Sequence, residues 1–91
     1  MARILLAEDD DSLRAFLKTN LSRAGHDVAA FGDGDAAWEA LAHGSFDLLL
    51  TDIVMPGLDG IELARRGAEQ DPAMKIVFIT GFAAVALSAQ S

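Results

Sequence analysis

The sequence contains no cysteine and few basic residues: seven Lys and Arg stand against fourteen Asp and Glu, which gives a formal net charge of −7. Without cysteine the chain forms neither a disulfide framework nor a thiolate metal site, which agrees with a reducing compartment. The negative charge repels phosphate backbones, so we do not expect this segment to bind nucleic acid. We therefore expect its partners to be proteins.

Long apolar runs are also missing, since none approaches the roughly 18 residues that a membrane span needs. The N-terminus enters directly into "RILL" and lacks the layout of a signal peptide. We therefore predict a cytoplasmic protein with no membrane contact. The 91 residues, of which 52% are hydrophobic, suffice for one domain with a single packed core.

Short apolar runs alternate with segments of helical periodicity. The apolar runs predict strands over residues 3–7, 28–31, 46–52 and 75–80. The first helix shows the stripe Leu13, Phe16, Leu17, Leu21 and Ala24, and the next two are predicted over 36–42 and 61–69. Asp11 or Ser12 is placed to cap the first helix, Gly25 to end it, and Asp59 to cap the third. This alternation predicts an α/β fold with a doubly wound parallel sheet.

Polar residues stand where three of the predicted strands end. Glu8 and Asp9 follow the first strand, and Asp52 ends the third. Thr80 ends the fourth. In this class of fold, ligands bind beyond the carboxyl ends of the strands, where the winding reverses direction. With the strand order 2-1-3-4, the first and third strands are neighbours, so the three carboxylates should converge.

Converging carboxylates need a positive partner, because two of them about 4 Å apart repel by roughly 4 kcal/mol at an effective dielectric near 20. Oxygen ligands without imidazole or thiolate suit Mg²⁺, Mn²⁺ or Ca²⁺. A carboxylate beside such a cation can attack phosphorus and form an acyl phosphate, and Asp52 is the candidate. The Thr80 hydroxyl would donate to a phosphoryl oxygen.

The simpler interpretation is a solvated acidic turn at residues 8–11 that favours the start of a helix. Asp52 alone could be a turn residue. Their joint occurrence at neighbouring strand ends favours a cation site. His26 and His43 have no histidine partner at ligand spacing and are expected to cap or pack. Gly32 and Gly34 do not form a nucleotide loop, because no lysine follows them in the required pattern.

Two motifs carry a resemblance to a known family. "ILLAEDDDSLR" resembles the opening of two-component receiver domains, and "DLLLTDIVMPGLDGIEL" resembles the segment around their phosphorylated aspartate. The resemblance covers essentially the whole chain. It implies a flavodoxin-like or CheY-like sheet in the order 2-1-3-4.

The resemblance also implies roles for individual residues. Asp52 would be the phosphoacceptor, Asp9 a direct ligand of Mg²⁺ or Mn²⁺, and Glu8 a ligand through metal-bound water. The Val54 backbone carbonyl would be the third protein ligand, and Thr80 the switch residue. The chain would then be a signalling module rather than an enzyme, receiving its phosphoryl group from a histidine kinase or a histidine phosphotransfer protein.

More narrowly, these motifs and "KIVFITGFAAVAL" are similar to a group of single-domain receivers. That similarity implies an adaptor that delivers substrates to the ClpXP protease when unphosphorylated. An alternative is the N-terminal receiver of a longer DNA-binding regulator, which the downstream sequence would decide. A phosphohydrolase with an aspartyl-phosphate intermediate is less well supported, because Val54 stands where such enzymes carry a second acid.

The sequence departs from the family pattern at its C-terminal side. Such receivers continue through a fourth helix, a fifth strand with a Lys-Pro pair and a fifth helix, whereas this sequence ends at Ser91. We therefore expect residues 1–91 to form an incomplete receiver domain that lacks the fifth strand and last helix. Strand four would be an open edge that favours a dimer or a domain swap. Phosphoryl transfer would be impaired without the lysine, while the cation site would survive.

Overall fold

Strands and helices alternate throughout residues 1–79, the part of the chain that the computed structural model describes. The elements are β1 (Arg3–Ala7), α1 (Asp11–Arg23), β2 (Asp27–Phe31), α2 (Gly34–His43), β3 (Leu48–Asp52), α3 (Gly60–Gln70) and β4 (Lys75–Ile79). The alternation of strands and helices predicted from the sequence is confirmed. The predicted end of the fourth strand at Thr80 lies outside the described residues. No helix within residues 1–79 is long and apolar enough to cross a membrane.

The four strands form one parallel sheet in the order β2-β1-β3-β4, as predicted. In the register of the two central strands, Ala7 lies opposite Thr51. The residues that follow this pair are Glu8 and Asp52, and they therefore lie at the same edge of the sheet. This register is what brings the predicted site together.

The core lies mainly between the sheet and the two helices α2 and α3. Strand β1 is covered on both faces, and its residues Ile4 to Ala7 are at most 2% exposed, as expected for a central parallel strand. The buried cluster on the α2 and α3 side contains Leu5, Ala7, Ala37, Leu41, Phe46, Leu49, Met55, Leu63, Ala64 and Met74. Trp38 packs against this cluster from α2.

Helix α1 corrects the expected cap and covers little of its apolar stripe. No residue of α1 is buried, and Phe16 is 63% exposed. Within residues 1–79 the helix packs on β2 and β1, which is too little surface to cover the whole stripe. The cap is Asp10, whose carboxylate accepts a hydrogen bond from the Leu13 N–H at 2.7 Å, rather than Asp11 or Ser12. Gly25 ends the helix with a φ of +97°, as expected of a glycine there.

The other helix starts show which side chains cap them. Asp33 accepts a hydrogen bond from the Ala36 N–H at 2.8 Å, so α2 begins at Gly34, two residues earlier than predicted. The predicted cap Asp59 is confirmed, because it accepts from the Glu62 N–H at 2.8 Å. Strand β3 begins at Leu48 rather than at Phe46. Phe46 instead joins the buried cluster, with 6% of its surface exposed.

Candidate metal centre

Three carboxylates meet at the carboxyl edge of the two central strands. Glu8, Asp9 and Asp52 each present an oxygen atom, and these oxygens all lie within 4.8 Å of one another. Glu8 is only 2% exposed, Asp52 is half-buried and Asp9 is exposed. The predicted convergence of these carboxylates is therefore observed. Thr80, the predicted switch residue, lies outside the described residues.

Glu8 is held by its backbone and by the start of α1. Its N–H donates to the Phe31 carbonyl of β2 at 3.0 Å, which continues the β1–β2 ladder one residue beyond the strand. Its Oε2 accepts the Asp10 N–H at 2.9 Å. The Arg14 guanidinium donates to the Glu8 backbone carbonyl at 3.0 Å and pairs with Asp11 at 2.7 Å. These hydrogen bonds hold the Glu8 backbone and one carboxylate oxygen at the carboxyl edge of the sheet.

No basic side chain within residues 1–79 forms an ion pair with any of the three carboxylates. Arg14, the basic residue bonded to the backbone of Glu8, directs its charge to Asp11. A cluster with up to three negative charges is thus left without a protein cation among the described residues. This is the electrostatic condition that a bound divalent cation would relieve.

Two carboxyl groups of the cluster, those of Glu8 and Asp52, have raised pKa values. Burial is the largest cause that raises the pKa of Glu8 from its ordinary value of 4.5 to about 7. The hydrogen bond from the Asp10 N–H lowers this pKa, and the charge of Asp52 raises it. Burial also raises the pKa of Asp52, with Asp9 acting in the same direction and the Ile53 N–H against it. Without a cation, the cluster therefore retains protons at a pH where isolated carboxylates have lost them.

The loop after Asp52 carries Val54, whose backbone carbonyl is a predicted ligand of the cation. The Ile53 N–H donates back to Asp52 Oδ1 at 3.0 Å, and the Ile53 carbonyl accepts the Gly60 N–H at 2.8 Å. Met55 anchors the loop in the core with 7% of its surface exposed, whereas the Val54 side chain is 79% exposed. The hydrogen bonds among residues 1–79 leave the Val54 carbonyl without a donor. Its role as a metal ligand stays a prediction.

The donor set fits a hard divalent cation. Carboxylate and carbonyl oxygens are the ligands of Mg²⁺ and Mn²⁺, and Mg²⁺ usually takes few protein ligands and keeps several waters. The exposed position of Asp9 leaves room for such waters. A cation here would offset the mutual repulsion of the carboxylates and leave Asp52, at the end of a strand, open to an electrophile.

Two residues beside this site, Arg14 and Gly60, have no role predicted from the sequence. Arg14 gave no signal, because its bond to the Glu8 carbonyl depends on the tertiary fold. Gly60 lies against the Asp52 backbone: a Cβ at this position would be 1.7 Å from the Asp52 carbonyl oxygen. A glycine in the first turn of a helix costs about 1 kcal/mol relative to alanine, so its place directly after the cap Asp59 was a usable signal of close approach.

Residues 4–91 match the family of response regulator receiver domains. Over its full length the chain is 60% identical to the response regulator receiver protein CpdR of Brucella abortus and spans 76% of that protein. It is 37% identical over 79 residues to the DNA-binding transcriptional regulator NtrC of Azospirillum brasilense, of which it spans 16%.

Solved structures show the same fold. The response regulator TrrA of Thermotoga maritima, solved in complex with Mg²⁺–BeF, superposes with a TM-score of 0.80 at 32% identity. The match covers 86% of this chain and 68% of the TrrA chain. TrrA has also been solved in complex with the histidine kinase ThkA. The match to this complex has the same TM-score of 0.80.

Proposed function

Since this chain belongs to the family of response regulator receiver domains, we propose that Asp52 accepts a phosphoryl group from a phosphohistidine with the help of one Mg²⁺. The observation that carries the proposal is the cluster of Glu8, Asp9 and Asp52, whose oxygens lie within 4.8 Å of one another. The magnesium complex solved for the related TrrA supports the choice of cation.

The geometry favours different ligand roles for the carboxylates. Asp9 is exposed and has room to bind the cation directly, together with an Asp52 oxygen and the Val54 carbonyl. Glu8 is nearly buried, and its Oε2 already accepts the Asp10 N–H, so it acts through a metal-bound water. Mn²⁺ would occupy the same oxygen set.

The reaction forms one bond and breaks another. An Asp52 carboxylate oxygen attacks the phosphorus of a phosphohistidine, the P–N bond breaks and the imidazole leaves, which produces an acyl phosphate on Asp52. The Ile53 N–H, 3.0 Å from Oδ1, orients that oxygen and leaves Oδ2 as the nucleophile. When bound, the cation neutralises charge on the phosphoryl oxygens. Donation from the Thr80 hydroxyl to one of these oxygens stays a prediction.

Metal binding is tested by titrating Mg²⁺ or Mn²⁺ while recording Trp38 fluorescence. Trp38 is the only tryptophan and packs on the core from α2. We expect a saturable change at millimolar metal, and at least about tenfold weaker binding in Asp9→Asn because a ligand charge is lost. Asp27→Asn is the matched control, since Asp27 lies at the opposite end of the sheet. Absence of saturable binding, by fluorescence and by calorimetry, would contradict the metal site.

We further propose that the phosphorylation state controls binding to a protein partner, namely ClpX of the ClpXP protease. The support is the 60% identity with CpdR over the full chain. We expect the unphosphorylated chain to bind immobilised ClpX and the phosphorylated chain to bind it more weakly, as surface plasmon resonance would measure. Equal binding of both forms, or of neither, would count against this output.

The match to NtrC supports a second candidate, the receiver of a longer DNA-binding regulator. The sequence downstream of this segment in its gene decides between the two.

Pairing of two chains through β4 also stays a prediction. Within residues 1–79, β4 pairs only with β3, and Val77 on that strand is 49% exposed.

A further inference from the structure

The loop that carries Val54 rests against the first turn of α2. A Cβ at Gly34 would lie 1.7 Å from the carbonyl oxygen of Leu58 and 2.6 Å from its carbonyl carbon. The Gly34 N–H also donates to the Pro56 carbonyl at 3.3 Å. One residue further along α2, Asp35 Oδ2 lies where a side chain on Gly57 would begin, 2.1 Å from the position of its Cβ. Helix and loop are therefore in contact at two successive positions, through the backbone at Gly34 and through the side chain at Asp35.

The same loop is fixed at its other side by α3. The Gly60 N–H donates to the Ile53 carbonyl at 2.8 Å, and Gly60 packs against the Asp52 carbonyl. Met55 of this loop is buried in the core. Val54 is thus an exposed residue in a loop whose flanking residues are held by two helix starts.

The glycine at position 34 is explained by this contact and not by its own backbone. Within residues 1–79, the glycines with positive φ are Gly25 and Gly57, so the conformation of Gly34 is open to any residue. Its position after the cap Asp33 does not require glycine either, because the cap bond is made by Asp33. The close approach of the Leu58 carbonyl is what excludes a side chain.

We propose that Gly34 is a positioning residue for the metal site: by admitting the Leu58 carbonyl, it lets α2 hold the loop so that the Val54 carbonyl faces the carboxylates. This inference rests on the proposed function, because Val54 matters only if a cation binds there. A Cβ at position 34 would have to displace the Leu58 carbonyl by more than about 1 Å, since contacts under 3.0 Å essentially never occur. Binding sites tolerate displacements of only about 0.5 Å in their ligands.

The test compares Gly34→Ala with the matched control Gly67→Ala. In Gly67→Ala the added methyl meets the flexible ends of Met74 and Leu41, at 2.9 and 3.0 Å, on the face of α3 that packs on the core. Both variants therefore crowd a buried glycine, but only Gly34→Ala crowds the loop. We expect Mg²⁺ affinity to fall about 10-fold to 100-fold in Gly34→Ala, the range typical of groups that support metal ligands. In Gly67→Ala it should stay within about twofold of the parent value, because the ligands are not displaced.

A second readout follows the loop without metal. In the metal-free protein, the amide resonances of residues 54–58 should shift in Gly34→Ala and stay unchanged in Gly67→Ala. A general loss of stability would not shift the resonances of residues 54–58 selectively. Unchanged loop resonances and a Mg²⁺ affinity equal to that of Gly67→Ala would overturn the inference.

If Gly34→Ala does not fold, a second pair of variants tests the same contact without adding a side chain at position 34. Asp35→Asn and Asp35→Ala remove the same charge, but only Asp35→Ala removes the contact with Gly57. We expect faster amide exchange of Gly57 and weaker Mg²⁺ binding in Asp35→Ala than in Asp35→Asn, and equal behaviour of the two would count against the inference. If the parent chain binds no Mg²⁺, the proposed metal site fails, while the loop resonances and the Gly57 exchange still decide whether α2 holds the loop.

Discussion

Asp52→Asn should take up no phosphoryl group under conditions in which the parent chain gains the mass of one. The measurement is intact mass spectrometry after incubation with Mg²⁺ and a small donor such as phosphoramidate. The amide nitrogen and oxygen of asparagine cannot form the acyl phosphate that a carboxylate forms. The substitution keeps the shape of the side chain and an oxygen that can accept the Ile53 N–H, which lies 3.0 Å from Asp52 Oδ1. The loss would therefore report chemistry and not unfolding.

The matched control is Asp27→Asn, which makes the same change at the opposite end of the sheet. Asp27 begins β2, its side chain is 70% exposed, and its nearest cation is Arg3 at 3.6 Å. An exposed ion pair of this kind contributes at most about 1 kcal/mol, so the variant should fold and gain the phosphoryl mass like the parent. An adduct that persists in Asp52→Asn, or is lost in Asp27→Asn, would refute Asp52 as the acceptor.

The position of this site could be predicted from the sequence because it follows from topology alone. The apolar run before Glu8 and the one ending at Asp52 predict buried strands, and parallel neighbouring strands place their carboxyl ends at one edge. The register that pairs Ala7 with Thr51 confirms this convergence. This prediction of convergence needed no knowledge of side-chain conformation.

Local competition explains the helix starts that were predicted wrongly. Four acids follow β1, and each of the last three could cap α1. The choice of Asp10 depends on how far the β1–β2 ladder extends, since the Glu8 N–H still donates to Phe31 and the helix can begin only beyond it. Asp59 was predictable because a single acid precedes its helix.

Features that depend on contacts between distant residues could not be predicted from the sequence. Periodicity shows that Phe16 shares a stripe with its neighbours but not how much of that stripe the sheet can cover. The contact between Gly34 and the Leu58 carbonyl joins two different elements, so the sequence does not show which backbone group approaches Gly34. The raised pKa of Glu8 depends on its burial, which the sequence does not specify.

Because the pKa of Glu8 is raised, metal affinity and folding stability should change with pH in opposite directions. In the metal-free folded chain the pKa of Glu8 is about 7, against an ordinary value of 4.5. Because the folded value is higher, the contribution of protonated Glu8 to stability is fully present below about pH 4.5 and is lost as the pH rises through 7. The difference corresponds to roughly 3 kcal/mol in the free energy of unfolding. Asp52, whose pKa is also raised, acts in the same direction.

Metal binding must follow the reverse course, because the cation needs Glu8 in its ionised form. We expect Mg²⁺ affinity to rise between about pH 5.5 and pH 8, by up to tenfold per pH unit below 7 while one proton is displaced. Glu8→Gln should weaken the pH dependence of both profiles by removing one of the two titrating groups, whereas Glu39→Gln, on an exposed glutamate of α2, should leave them unchanged. Urea unfolding and Mg²⁺ calorimetry over this range measure the two profiles. An affinity independent of pH in the parent chain would mean that Glu8 does not take part in holding the cation.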